Sequence, residues 1–196
     1  PIGPAGMLYG EKAKAGDDIY VIAPKGICHK TKIYEILKPK RKEGEATVNE
    51  FDKVTEAEPG ELVVFKIDEE VAKKTSQGMV VSNVEPTKLD NIKGFITNPR
   101  LKGLLRERDT NRIPNIFGYI AEEVAMQAPF LAVAQFSIPP EMMDEYGKAK
   151  ITKDTIINVA TLTDGEGNQY IPVFTEPNEV ISWKERPADS TVVYSF

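Results

Sequence analysis

Short apolar runs separated by turn residues fill the first part of the chain. The runs "GMLYG", "DIYVIA", "TKIYEIL", "ELVVFKI" and "GMVVS" alternate with "AGDD", "PKG", "AEPG" and "SQG". That spacing predicts a small antiparallel barrel or sandwich from Gly3 to about Asn83. Within "KTKIYEILK", read as one strand, Ile33, Glu35 and Leu37 share one face and Tyr34, Ile36 and Lys38 the other. The polar segment "KPKRKEGEATVN" from Lys38, with Pro39 and Gly44, reads as a long hairpin loop on the surface.

The period changes at Asn98. Asn98 has the chemistry of a helix N-cap, Pro99 suits the first helical position, and Leu101, Leu104 and Leu105 fall on one stripe of "RLKGLLRERD". In "IPNIFGYIAEEVAMQAP", Ile116, Phe117, Ile120, Val124 and Ala128 recur at helical spacing until Pro129. "FLAVAQFS" then reads as a strand buried on both faces, "TIINVATLTD" and "QYIPVFT" as a hairpin around "GEGN", "EPNEVISWKE" as a short helix with Val180 and Trp183 on one side, and "TVVYSF" as a further strand. The expected organisation is two domains: an all-β antiparallel barrel over 1–86, a polar linker over 87–97, and an α+β domain over 98–196. No internal repeat stands out.

Bulk composition narrows the function classes. With 41% hydrophobic residues, 28% charged residues and a net charge of −5, the chain is neither a disordered segment nor a purely electrostatic nucleic-acid binder. No apolar run reaches the roughly 20 residues that span a bilayer, so a cytoplasmic protein without membrane contact is expected. The single cysteine cannot form an internal disulfide, in keeping with a reducing compartment. The start at Pro1 without a methionine and the stop at "STVVYSF" suggest a parent protein longer at both ends.

The order of motifs carries two resemblances. A strand leading into "GEKAKAGD" (Gly10 to Asp17), then "AEPGE" (Ala57 to Glu61), and finally "QGMVV" resembles the second domain, the β-barrel, of elongation factor Tu and other translational GTPases. In this reading Gly16 and Gly60 supply tight turns, Asp17 and Glu61 polarise them, and Gly78 lets the last strand start sharply. The resemblance implies contact with RNA, the ribosome or another translation component. The second half is similar to the amino-terminal domain of the SseB (enhanced serine sensitivity) family, in which a "P-x-F-T" strand end runs into a short helix with an aromatic, as Pro172, Phe174, Thr175 and Trp183 do here. That family implies a fold and a protein-contact role, not a reaction.

Candidate chemistry is sparse. Cys28 and His29, neighbours on an expected strand, point to opposite faces and make a poor metal or catalytic pair. A phosphate-binding G-x-x-x-x-G-K-[ST] loop is missing, so no guanine nucleotide is expected to bind. "DGEGN" (Asp164 to Asn168) reads as a hairpin turn and not a calcium loop; Glu122-Glu123 and Asp144-Glu145 read as solvated helix faces. Two basic clusters remain: Lys30, Lys32, Lys38, Lys40, Arg41 and Lys42, and Arg100, Lys102, Arg106, Arg108 and Arg112. Both are expected on the surface, and Lys38, Lys40, Arg41 and Lys42 are the candidate RNA contacts. The sequence thus points to a non-enzymatic two-module binding protein without metal or cofactor. The alternative is a protein-only adaptor or regulator of the SseB type.

Overall fold

A computed structural model describes residues 3–40, 50–88, 96–110, 112–126, 128–138, 152–153 and 155–195. It consists mostly of antiparallel sheets with a few helices. Two compact units form: Pro1–Pro86 with Pro99–Met126, and Thr87–Asn98 with Gln127–Phe196.

The first unit contains β1 (Ala5–Met7), β2 (Ala13–Lys14), β3 (Asp18–Ile22), β4 (Cys28–Lys32), β5 (Glu35–Lys40), β6 (Glu50–Val54), β7 (Glu56–Ala57), β8 (Leu62–Lys66), a one-turn helix α1 (Glu69–Ala72) and β9 (Val80–Ser82). The strands form a four-stranded sheet β1-β8-β5-β6, a three-stranded sheet β4-β3-β9 and the pair β2-β7. One core joins them: Ile19 and Val21 enter from the three-stranded sheet, Ile36, Val63 and Phe65 from the four-stranded one, Ala13 and Ala57 from the pair. Among the described residues the ladders remain separate sheets and do not close into a barrel.

The strand expected across "KTKIYEILK" is two strands. Ile33 and Ile36 are 1% and 0% exposed in the same core, which a continuous strand forbids because residues an odd number apart face opposite ways. The chain bends at Ile33-Tyr34 and crosses from one sheet to the other. Lys38, Pro39 and Lys40 then continue β5 against Asp52, Phe51 and Glu50, where a loop was expected. Pairing with β8 stops at Leu37, so Pro39 sits where the strand has one neighbour, the position that tolerates a residue without an N–H. Residues 41–49 lie outside the described residues.

The turns before β3 and β8 are built alike. Gly16 and Gly60 have φ of 101° and 89°, a region costly for any residue with a Cβ. Asp17 accepts from the Lys14 N–H and Glu61 from the Glu58 N–H, each at 2.8 Å. "AKAGDDI" and "AEPGELV" share the pattern A-x-x-G-[D/E]-x-[I/V], and Ala13 lies opposite Ala57 in the β2-β7 pair. A short repeat is therefore present where none was expected. Its two aliphatic ends, Ile19 and Val63, enter the same core.

Helices α2 (Pro99–Glu107) and α3 (Ile116–Ala125) belong to the first unit, which corrects the expected second domain beginning at residue 98. Ile22, fully buried, lies on the face of β3 opposite Val21, and α2 packs on β9 over that face. Leu101 and Leu104 on α2 are 2% and 1% exposed, and a Cβ on Gly103 would come within 3.0 Å of Val80. Helix α3 ends at Ala125, before Pro129 is reached. Phe117 is 67% exposed although Ile116 is buried, because neighbours on a helix diverge by 100° and one stripe alone faces the protein.

In the second unit β10 (Phe130–Ser137) is central. It pairs antiparallel with β11 (Ile156–Val159), β14 (Val173–Phe174) and β15 (Thr191–Tyr194), while β12 (Leu162–Thr163) and β13 (Gln169–Tyr170) form the hairpin between β11 and β14. The first five residues of β10 are buried, as its unbroken apolar run predicts. Helix α4 (Pro177–Ser182) places Val180 in a core with Ile96, Leu131 and Val133, and the Phe174 and Trp183 rings meet with centroids 5.8 Å apart. Asn98, expected to cap α2, is buried and donates its amide to the carbonyl oxygens of Pro129 and Thr175.

Candidate functional site

Every described lysine of the first basic cluster holds a carboxylate. Lys30 and Lys32 flank Asp18 at 3.1 and 3.3 Å, Lys38 reaches Glu61 at 2.6 Å, and Lys40 reaches Asp52 at 2.7 Å. The lysine partners hold Asp18 and Glu61 below the usual carboxylate range, and Asp52 raises Lys40. Lys38 and Lys40 occupy a strand, as described above, and Arg41 and Lys42 lie outside the described residues. The cluster is thus a sheet surface of four lysines on three carboxylates wherever it can be followed, with Lys30 and Lys32 sharing Asp18.

The second cluster does not form one surface. Arg100 is 1% exposed and donates from Nε to the Gly78 carbonyl at 3.1 Å, from one terminal nitrogen to Glu122 at 3.3 Å and from the other to Glu123. The acids expected to be solvated therefore converge on one buried guanidinium: the fork is broad enough to span two side chains that leave the helix 100° apart. Tyr9 donates to Glu107, Arg112 reaches both groups at 3.4 and 3.3 Å, and Arg106 lies over the Tyr9 ring at 5.7 Å. Burial, followed by the Glu107 contact, raises the Tyr9 phenol. Arg108 pairs with Asp109 at the surface. This network ties the β1–β2 connection to the end of α2. Asp144 and Glu145 lie outside the described residues.

Cys28 and His29 sit side by side on β4, opposite Ile22 and Val21 respectively, on alternate faces as their adjacency requires. Among the described residues no group of three or more His, Cys, Asp or Glu is arranged to hold a metal ion. "DGEGN" is a hairpin turn. Asp164 accepts from the Glu166 and Asn168 N–H groups, the Asn168 amide and the Tyr170 hydroxyl. These bonds, the Asn168 side chain first, bring its carboxyl down to about 2.

Sequence reasoning missed the outer face of the four-stranded sheet. Ile36, Val63 and Phe65 point to the core, so Leu37, Leu62 and Val64 point away from it. Cross-strand register sets Met7 beside Leu62, Ala5 and Leu37 on either side of Val64, and Phe51 beside Pro39. The result is two adjacent apolar rows across the sheet, with Leu62 38% exposed and Val64 buried between its neighbours. The second of these rows ends in charge: Lys53, opposite Leu37, donates to Glu35 at 2.8 Å, and Lys66, opposite Glu35 in the next row, donates to it at 3.3 Å; both lysines hold the Glu35 carboxyl low. A signal for this face existed in "LVVF", whose apolar residues occupy both faces of β8.

Comparison of the chain with protein-family models, curated proteins and solved structures finds no match. Among the described residues no helix is long and apolar enough to cross a membrane.

Proposed function

We propose that this chain is a non-enzymatic, cytoplasmic binding protein of the adaptor type, whose partner is a protein. One observation carries the reading: Lys30 and Lys32 share Asp18, Lys38 holds Glu61 and Lys40 holds Asp52, so a phosphate backbone would have to compete with three carboxylates for four lysines. Their net contribution to phosphate affinity is correspondingly small, because affinity for nucleic acid grows with the number of phosphates neutralised.

The two resemblances fit this reading. The paired A-x-x-G-[D/E] turns and the shared core support a module like the second domain of translational GTPases. The Phe174-Trp183 contact, with Thr175 donating to Glu179 at 2.9 Å, supports an SseB-like module for the part from residue 127 onward. RNA contact is the second reading. It is favoured by the position of Lys38 and Lys40 on the strand that runs directly into Arg41 and Lys42.

The deciding experiment titrates the purified chain with bulk tRNA and a random RNA across a salt series. The adaptor reading expects no binding at 150 mM salt, and expects proteins pulled down from lysate to stay bound after nuclease. Binding that weakens steeply with salt, and loses up to about 0.7 of log-log slope per cation in a Lys38→Gln, Lys40→Gln, Arg41→Gln, Lys42→Gln variant, would overturn it in favour of RNA.

A further inference from the structure

We infer that the outer face of the β1-β8-β5-β6 sheet is the docking surface for an amphipathic α-helix of a partner protein that carries acidic residues along one flank. The inference rests on the adaptor reading above and names its surface. Two adjacent rows, one of Met7, Leu62, Pro39 and Phe51 and one of Ala5, Val64 and Leu37, make an apolar strip that ends in Lys53 on β6. Contiguous apolar surface rimmed by polar groups marks interaction sites, and a sheet face is most simply covered by a helix. Four strands at the usual spacing of about 4.8 Å span about 14 Å, the length of a helix of about ten residues. A helix of ordinary diameter, about 10 Å, covers both rows at once.

Charge selects the flank. At the edge of the strip stand Lys53, which closes the Val64-Leu37 row, and Lys66 of the next row, 67% and 54% exposed at the side chain, which share the single carboxylate of Glu35. This edge therefore has one positive charge in excess, and each ammonium has three donors to distribute. A carboxylate on the incoming helix would complete it, whereas a lysine there would be repelled. The net charge of −5 does not reverse this preference, because charges more than about 8 Å away are largely screened at physiological salt.

Two synthetic helices test the inference: a leucine-striped peptide flanked by glutamates, and the same peptide with lysines in their place. Binding to the full chain is followed by fluorescence anisotropy at 150 mM salt. The glutamate peptide is expected to bind at least about tenfold more tightly than the lysine peptide. Leu62→Asp should weaken it about tenfold or more, and Lys53→Glu with Lys66→Glu should reverse the preference. Equal binding of the two peptides, no binding, or binding indifferent to these substitutions overturns the inference. So does a dimer in sedimentation equilibrium that Leu62→Asp dissociates, which would assign the face to a second copy. A sharp loss of thermal stability in Leu62→Asp would overturn it too, since the chain's own residues would then cover the face. Should the peptides fail while nuclease-resistant protein capture persists, the surface is wrong and the adaptor reading stands; binding of tRNA would remove that reading itself.

Discussion

The lysines on β4 and β5 and the arginine near the start of α2 all hold carboxylates, but under different solvent. Lys40 and Asp52 meet at 2.7 Å with about half of each side chain in water, so the pair replaces hydration that both groups already had. Arg100 has 1% of its surface exposed and meets Glu123, itself 12% exposed at the side chain, with a carbonyl completing its donors. Removing one member of such a set leaves charge without water or partner. The surface lysines are free to change partners with little consequence for folding, while Arg100 is committed to holding α2 and α3 against the sheet. Function is more readily sited on the first kind of cation than on the second.

The largest test of that contrast is Arg100→Met, which should cost about 3–5 kcal/mol, the loss typical when one partner of a buried ion pair is removed. Urea unfolding measures it, and an unchanged midpoint would put Arg100 on the same footing as the lysines. Gly78, whose carbonyl Arg100 holds, comes next. Its φ is +85°, and an added Cβ would meet the Tyr119 ring at 2.8 Å. Gly78→Ala should therefore lose about 1–3 kcal/mol and more than Gly16→Ala, whose backbone is equally left-handed but whose Cβ would meet nothing. Equal losses would show that backbone conformation, not the helix contact, sets the penalty.

Smaller effects sharpen the surface side. Lys38→Gln with Lys40→Gln should leave the unfolding midpoint in place at 150 mM salt; a clear fall would show that the strand lysines are structural. Asp164 offers a surface carboxylate held by neutral donors. Its pKa in the folded chain, about 2, lies below the ordinary 3.8, so its stabilising contribution is complete above 3.8 and fades as pH falls through about 2. The difference in stability between the parent and Asp164→Asn should shrink over that acid range and stay flat from pH 5 to 8. A difference that instead changes near neutral pH would point to another group.

Local features were legible along the chain, and each has a local cause. The glycines at 16, 60 and 78 have the left-handed backbone their turns require, and the unbroken apolar run "FLAVA" is the buried part of β10, while Gln135 and Ser137 after it are exposed. Helix α1 was missed, although Asp68 before two glutamates is a recognisable N-cap: its carboxylate accepts from the Glu70 and Val71 N–H groups at 3.0 and 3.2 Å. The split at Ile33-Tyr34 was blurred because apolar residues occur on both faces of "KIYEIL", leaving alternation without a unique side.

By itself the chain's pattern determined helices α2, α3 and α4, most of the strands, the tight turns at Gly16, Gly60 and Gly78 and the sparseness of ionisable chemistry, but not α1 or the break between β4 and β5. These follow from neighbours within a few positions, through side-chain period and backbone sterics. Only the tertiary structure decided that α2 and α3 cover the three-stranded sheet, that Arg100 is buried, and that the outer rows of the four-stranded sheet align into one apolar strip. Arg100 meets its carbonyl 22 residues before it and its carboxylates 22 and 23 residues after it, separations on which a helical stripe carries no information. A charged residue on such a stripe is solvated or buried according to what packs against it, and that is settled by distant segments competing for the same surface.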